Sequence, residues 1–487
     1  MQIGEVRMSI REPLWQSDAA IAATGGNSNM RWTASGVSID SRTVEPGDLF
    51  VAIRGPAQDG HKFVKDALAN GAVCALVDHI PEDVPADAPL LIVADTLAGL
   101  NALAVAARQR VDARIIAVTG SVGKTGTKEM LRAAFGAVGK THASVASYNN
   151  LWGVPLSLAR MPADTQFGIF EIGMNHAGEI APLSRLVQPD VAIITAIAAA
   201  HIGHFASVTE IAEAKAEIFA GLKSDGVALI NRDSEFFDLL AARAGGKTRM
   251  IRSFGSHAQA DIRLQKAVPH SHCTCVAATI LGQAATYKIG LVGRHWAMNS
   301  LAVMGAIAAC DQDLALASLA LGNLASLAGR GMRHQLQLAT GEFTLFDDSY
   351  NANPASMRAA IENLAHQSPE KSGRRIAVIG DMAELGTHSQ DYHLELANIM
   401  QQQKIDLIFA AGPEMAAMYA ALPKRMQGAH KSDAAELAKP VIDGLRPGDI
   451  VMVKGSLSSG MSRVVAALLT FSETGQVAAS RGIEDAV

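Results

Sequence analysis

Lys124 and Thr125, which follow the stretch "IIAVTGSVG", are the residues whose types and spacing most plainly suit chemistry. An apolar run, a turn carrying Gly120 and Gly123, and a lysine–threonine pair opening a helical pattern form a phosphate-binding loop. A helix N-terminus presents unpaired N–H groups and a partial positive charge, and both hold phosphate oxygens. The backbone from Gly120 through Ser121, Val122 and Gly123 to Gly126 would approach the phosphates. Lys124 would neutralise the β- and γ-phosphates, and the Thr125 hydroxyl would lie on Mg²⁺. The strict G-x-x-x-x-G-K-[ST] pattern needs glycine at 118, where Val118 stands. A regulatory GTPase would also carry N-K-x-D. The nearest stretch, "INRDSE" at 230–235, lacks the lysine, so ATP is the expected nucleotide.

Three further residues are chemically suggestive. Glu171 ends the apolar run "FGIFE". A strand-end carboxylate beside a phosphate loop suits Mg²⁺, which prefers hard oxygen ligands; a simple exposed acid is the alternative. His201 follows "IITAIAAA", and spacing alone reads it as a core or turn histidine, since imidazole is not a preferred Mg²⁺ ligand. Lys215, in "EIAEAKAEIFAGL", reads as a solvated helix lysine on the acidic face of Glu210 and Glu213.

The elements that must position these residues fall into three units, an α/β chain of three domains. At 487 residues the chain exceeds one ordinary core. Residues 1–112 read as a small α/β module: two short strands around a Pro-Gly turn in "GVSIDSRTVEPGDLFVAI", a helix closed by Gly71, the strand "AVCALV", and an alanine-rich helix over 97–110. Residues 113–328 alternate strands and helices, predicting a mostly parallel sheet of P-loop type, with an antiparallel edge over 261–292 and two core helices over 295–311 and 313–323. Residues 329–487, with "RIAVIG", "IDLIFAAG" and "DIVMVKG", predict a second open, Rossmann-like sheet. The tail after Thr474 is polar and small-residue-rich, and disorder is expected there.

A net charge of −5 argues against a general nucleic-acid binder, which would show a basic stripe. The four cysteines, with only Cys273 and Cys275 close in sequence, give a weak zinc signal and read as reduced thiols. The N-terminal "MQIGEVRMSIREPLW" has no apolar core, so no signal peptide is expected. The longest apolar run, 191–200, is far short of a membrane span. A cytoplasmic monomer without nucleic-acid or membrane partners is the expectation.

The form T-G-S-x-G-K-T after an apolar strand resembles the loop of the Mur ligases, ATP-dependent amide-bond-forming enzymes of peptidoglycan precursor synthesis. There the same glycine is absent. "DSRTVEPGDLFVAIRG" and "DGHKFVKDALANGA" resemble the family's uridine-nucleotide module. "YNNLWGVPLSL", "EIGMNHAGEI", "AHIGHF" and "AKAEIF" resemble its central domain, so the likeness runs along nearly the whole chain. "DDSYNANPASM" and "GDMAELG" are its most specific signals. They imply ADP-forming addition of D-Ala-D-Ala to a UDP-N-acetylmuramoyl-tripeptide through an acyl phosphate.

The resemblance also implies roles. Glu171, Thr125 and His201 would hold two Mg²⁺ ions, with His176 and His204 in support. Lys215 would react with carbon dioxide to form a carbamate. Arg330 would reach the nucleotide phosphates, Asp347 the ribose and Asn299 the adenine. Asn149, Asn150, Tyr350, Asn351 and Asn353 would serve the peptide substrates, and Ser41 and Arg42 the uridine diphosphate end. Two places depart from the family pattern. Trp296 stands where asparagine usually follows the histidine of "GRH", and the arginine expected soon after Lys454-Gly455-Ser456 is delayed to Arg463. Another ligase of the same fold, such as a tripeptide-forming Mur ligase or a folylpolyglutamate synthetase, and a non-catalytic nucleotide-switched protein remain the alternatives.

Overall fold

The computed structural model describes residues 11–484 except 56–57, 86, 146, 271 and 371. The first ten residues, part of the segment read as lacking a signal peptide, lie outside the described residues.

Three main sheets follow one another along the chain. The first has five strands, ordered Asn27–Ser28, Leu90–Ile92, Cys74–Val77, Asp48–Val51 and Gly36–Ser38. The two strands expected around a Pro-Gly turn exist but pair in parallel. The chain between them crosses over instead of reversing: Asp40 accepts from the Arg42 N–H at 3.0 Å and starts a 3₁₀ turn over Ser41–Thr43. The helix expected before Gly71 forms over Val64–Ala69, with Gly71 at φ 101° in the left-handed region.

The second sheet has nine strands. β1 (Arg114–Thr119) lies inside it, between β2 (Phe167–Glu171) and β3 (Val191–Ile194), all parallel. A strand buried on both faces needs a continuous apolar run rather than alternation. Accordingly Ile115 and Ala117 pack into one core and Ile116 and Val118 into another, all at 0 % exposure. The antiparallel edge forms as expected from Ile262–Pro269, Thr274–Ile280 and Gln283–Ile289. Of the two helices after it, Arg294–Ala309 is largely core. Leu314–Gly322 departs from that expectation: Ala317 and Leu321 are buried, but Leu316 and Leu319 are 46 % and 67 % exposed. A helix at a sheet's outer edge covers the sheet with one face only, and those leucines lie on the other.

The third sheet has six strands, parallel except for the edge strand Met332–Leu338, which pairs antiparallel with Gly341–Asp348. The last helix runs Ser462–Glu484, so residues 475–484 of the tail expected to be disordered are helical. Val464, Val465 and Leu468 dock its first turns, and a docked helix propagates readily once nucleated. All four cysteines are free thiols. Among the described residues, no helix is long and apolar enough to cross a membrane.

Candidate active site

The C-terminal ends of parallel strands, where neighbouring connections diverge, are where open α/β sheets bind ligands. The ends of β1, β2 and β3 open onto a cavity of about 1160 Å³. Its wall includes Ser121, Val122, Gly123, Lys124, Thr125 and Gly126, together with Glu171 and His201. It also includes Asn149, Asn150, Asn299, Arg330, Tyr350, Asn351 and Asn353, so residues from the second and third sheets' surroundings share one space. Gly120 lies just behind the loop, its carbonyl accepting from Lys124.

The helix after β1, α1 (Lys124–Gly136), begins at Gly123 (φ 85°) with no side-chain cap. Its first-turn N–H groups are therefore open to an anion from the cavity. The loop itself is held from β3's side: the Ser121 hydroxyl donates to the Ala198 carbonyl at 2.8 Å, and Thr195 donates to the Val122 carbonyl at 2.6 Å. The Lys124 ammonium lies 2.8 Å from the Gly120 carbonyl. Burial holds its pKa below the ordinary lysine range; Glu171 opposes that shift and the Arg330 charge adds to it.

Glu171 is fully buried. One oxygen accepts from the Asn149 amide at 2.7 Å; the other has no hydrogen-bond partner among the described residues. An unpartnered buried carboxylate oxygen costs free energy unless a cation or donor meets it. With the Thr125 hydroxyl on the same wall, that donor set is all hard oxygen and fits Mg²⁺. His201, at φ 61°, has Nδ1 against the Glu384 carboxylate and keeps Nε2 for other partners.

Lys215, on α2 (Val208–Ala216), differs from its reading as a solvated lysine. It is 1 % exposed, and among the described residues its ammonium has no hydrogen-bond partner or counter-ion. Glu213 instead takes Arg243 in a double contact at 2.7 Å, and Glu210 accepts from the Ala206 N–H. Burial, with the Lys124 charge adding to it, pushes the Lys215 pKa well below the ordinary lysine range. Lys215 is not among the residues that line the cavity.

The third sheet brings Arg330, whose guanidinium lies 4.1 Å over the Tyr350 ring, while the Tyr350 hydroxyl donates to Ser147 at 2.9 Å. Asn353 caps α3 (Pro354–Ala365): its side chain accepts from the Ser356 N–H at 2.9 Å and its N–H donates back to the Ser356 hydroxyl. Asn150 likewise accepts from the Gly153 N–H at 2.9 Å. Asp347 is not on the cavity wall. Its carboxylate accepts from the Gly329 N–H at 2.9 Å and from the Ser349 hydroxyl at 2.6 Å. Asp348 lines the cavity instead, paired with Lys454 at 2.8 Å. Ser41 and Arg42 lie apart from this cavity, with Arg42 bound to Asp40 at 2.7 Å.

Asp348, Lys454 and Glu384 were missed as site residues, although "DDSYNANPASM", "KGS" and "GDMAELG" contain them. Glu384, at φ 62°, joins the third unit to the second. Besides His201 it accepts, through its carbonyl, the Gly203 N–H at 2.9 Å, and Ile202 and Leu385 share one apolar cluster.

A phosphate loop, a buried orphan carboxylate oxygen and an arginine from the third unit over the same cavity make a nucleotide-binding site suited to phosphoryl transfer. Residues 118–307 match the Mur ligase middle domain, 332–457 the Mur ligase glutamate ligase domain, and 33–109 the Mur ligase family catalytic domain. The chain belongs to the Mur ligase family. It is 36 % identical over 439 residues to the UDP-N-acetylmuramoyl-tripeptide–D-alanyl-D-alanine ligase of Escherichia coli K12, covering 90 % of this chain and 94 % of that one. The enzyme of the same name from Bacillus subtilis 168 is 33 % identical over 437 residues, covering 89 % and 93 %. A crystal structure of MurF from Acinetobacter baumannii superposes with a TM-score of 0.82 at 29 % identity, covering 94 % and 99 %. The MurF ligase of Thermotoga maritima, solved in complex with ADP, gives 0.75 at 25 % identity, covering 90 % and 98 %.

Proposed function

We propose that this chain is an ATP-dependent, ADP-forming ligase that joins D-Ala-D-Ala to a UDP-N-acetylmuramoyl-tripeptide. It would act in the cytoplasm, as a monomer, with its three domains bounded near 112/113 and 328/329. One observation carries the chemistry: the unpartnered Glu171 oxygen beside the Lys124 loop, in a cavity that the third unit closes with Arg330. The names of relatives matched over about nine-tenths of the chain support the substrate pair.

A carboxylate is a poor acylating agent, because its leaving group would be oxide. Phosphoryl transfer from ATP makes an acyl phosphate; the dipeptide amine attacks it through a tetrahedral intermediate, and phosphate leaves. Such a reaction needs cations and positioning more than covalent catalysis. The open N–H groups of α1 and the Lys124 ammonium hold the transferring phosphoryl group. Arg330, fixed over Tyr350, meets the phosphates from the opposite side with its planar fork. Asn299 faces the base, and Asp347 keeps the Gly329 turn that aims Arg330. Thr125, Glu171 and His201 would hold Mg²⁺, which when bound supplies further neutralisation of the phosphate oxygens. Burial shifts Lys215 toward the neutral amine, the form that would add carbon dioxide and release a proton to give a carbamate anion. Asn149, Asn150, Tyr350, Asn351 and Asn353 line the path of the peptide substrates, and Ser41 and Arg42 serve the uridine diphosphate end.

The test is phosphate release by the full-length protein. It should require ATP, the UDP-muramoyl tripeptide and D-Ala-D-Ala together. Release supported by a single amino acid in place of the dipeptide would move the chain to a sibling activity, and nucleotide binding without release would remove the ligase reading.

A further inference from the structure

Trp296 is where this chain departs from the family pattern, and its surroundings explain the departure sterically. It lines the cavity alongside Lys124, Thr125, Gly126 and Asn299. It lies on the helix Arg294–Ala309, one turn before Asn299, and this helix packs against α1. A Cβ built on Gly126 would meet the indole at 2.4 Å (Cζ3) and 2.8 Å (Cη2). The benzo edge of Trp296 thus occupies the volume a side chain at 126 would fill. Glycine is a poor helix former relative to alanine. At the third position of this phosphate-loop helix its missing Cβ leaves the room in which the indole sits. Asn299 presses the same helix one turn earlier, its Oδ1 3.0 Å from where a Cβ on Gly123 would be. The remaining ring surface is half-buried and faces the cavity, with the His295 ring 5.1 Å away and tilted by 42°.

An amide reads a base by hydrogen bonds to its edge. An indole offers a face, one N–H donor and no acceptor. Base–aromatic stacking tolerates any edge pattern, because every base has a π-face, and larger rings overlap more. Resting on the nucleotide reading above, we propose that Trp296, locked into the notch at Gly126, is the stacking platform for the nucleotide base and sets a preference for purine over pyrimidine triphosphates.

The experiment uses the full-length protein with both peptide substrates and compares ATP, GTP, CTP and UTP in phosphate release. Wild type should use ATP far better than CTP or UTP. Trp296→Ala should raise KM for ATP about tenfold or more, the scale of one lost base stack, with kcat falling far less. Trp296→Phe should lie between. Gly126→Ala should raise KM in the wild-type background and do less in the Trp296→Ala background, because the two residues share one volume. ADP should quench tryptophan emission in wild type, and the quench should be lost in Trp296→Phe although Trp15, Trp32 and Trp152 remain. An unchanged ATP KM in Trp296→Ala, an undiminished quench in Trp296→Phe, or equal use of ATP and CTP by wild type each overturns the platform. If ATP supports ligation while these variants behave as wild type, only this proposal fails. If no triphosphate supports release and ADP does not bind by calorimetry, the nucleotide reading beneath it fails as well.

Discussion

Gly203→Ala tests whether the contact between the second and third units belongs to the working form of the enzyme. Gly203 has an ordinary φ, so alanine is not strained by its own backbone. Its Cβ, however, would lie 2.7 Å from the Gly386 nitrogen, 3.0 Å from the Glu384 carbonyl oxygen and 3.1 Å from the Gly386 Cα. All three are backbone atoms of the opposing segment and cannot rotate away. Ordinary contact begins at 3.4 Å, so the segments must part by about 0.7 Å at that point. Staying together under such overpacking costs about 1–3 kcal/mol. Parting instead breaks the 2.9 Å Gly203 N–H bond to Glu384, about 0.5–1.5 kcal/mol, and loosens the half-exposed His201–Glu384 pair, at most about 1 kcal/mol. The first route disfavours the joined arrangement by about 1–3 kcal/mol and the second by about 0.5–2.5 kcal/mol, a shift of roughly 2- to 150-fold. We expect kcat/KM for ligation to fall within that range while the melting temperature of the ligand-free protein changes little. Scattering with ATP analogue and UDP-substrate bound should show a larger radius of gyration than wild type. Turnover within twofold of wild type, with the same compaction, would refute the reasoning.

The remaining predictions are independent of that contact. Lys124→Ala should lower kcat and kcat/KM together by about 10²–10³, the scale of losing a preorganised charge that acts in the transition state; steady-state phosphate release with near-wild-type turnover would contradict it. Product analysis with D-Ala-D-Ala, meso-diaminopimelate, L-lysine and glutamate should show strong preference for the dipeptide, and preference for any single amino acid would reverse that reading. A hinge near 328–332, where Gly329 and Gly331 take φ 71° and 80° around Arg330, should let ligands compact the protein, and an unchanged radius of gyration on adding both would sink it. His142, packed with its Nε2 on the Ser157 carbonyl, is pushed down to about 4 by burial, against about 6.5 when unfolded. Its folded pKa is depressed, so the unfolded chain binds more protons between pH 4 and 6.5. Its contribution is complete above about pH 6.5 and is lost as pH falls through that window. Melting temperature should drop between pH 7 and 4.5, less steeply in His142→Asn, and an identical slope in that variant would exclude His142 as a source.

Much of what lines the candidate site was legible because its signals are local. A strand, two glycines and Lys124-Thr125 are consecutive, and Glu171 announces itself by ending an apolar run. What was not legible depends on distant packing. Lys215 looks solvated on a helix that also carries Glu210 and Glu213, and only the tertiary fold, which gives Glu213 to Arg243, reveals it as buried and unpartnered. Asp347 and Asp348 are adjacent and chemically identical. The strand's alternation decides which turns inward to hold Gly329 and which faces the cavity. The parallel pairing of Gly36–Ser38 with Asp48–Val51 was likewise hidden, because a Pro-Gly turn between two short strands reads as a reversal. The helical tail after Thr474 owes its order to residues upstream of it, which composition alone does not weigh.

The Asp347 clamp bears on how this chain tolerates changes of length. Interdomain links are usually where insertions do least harm, since few contacts cross them. This link is different because both of its glycines are tied to the end of the strand Gly341–Asp348 and the turn after it. The Gly329 N–H reaches the Asp347 carboxylate at 2.9 Å, the Gly331 N–H reaches the Asp347 carbonyl at 2.7 Å, and the Gly329 carbonyl receives the Tyr350 N–H at 3.0 Å. Three bonds within three residues fix the register of Arg330 to one position. A single residue inserted between 329 and 331 would rotate that arginine off Tyr350 without disturbing either sheet. In an engineered fusion or circular permutant of this fold, the segment that looks most like a flexible joint is therefore the one whose residue count must be preserved.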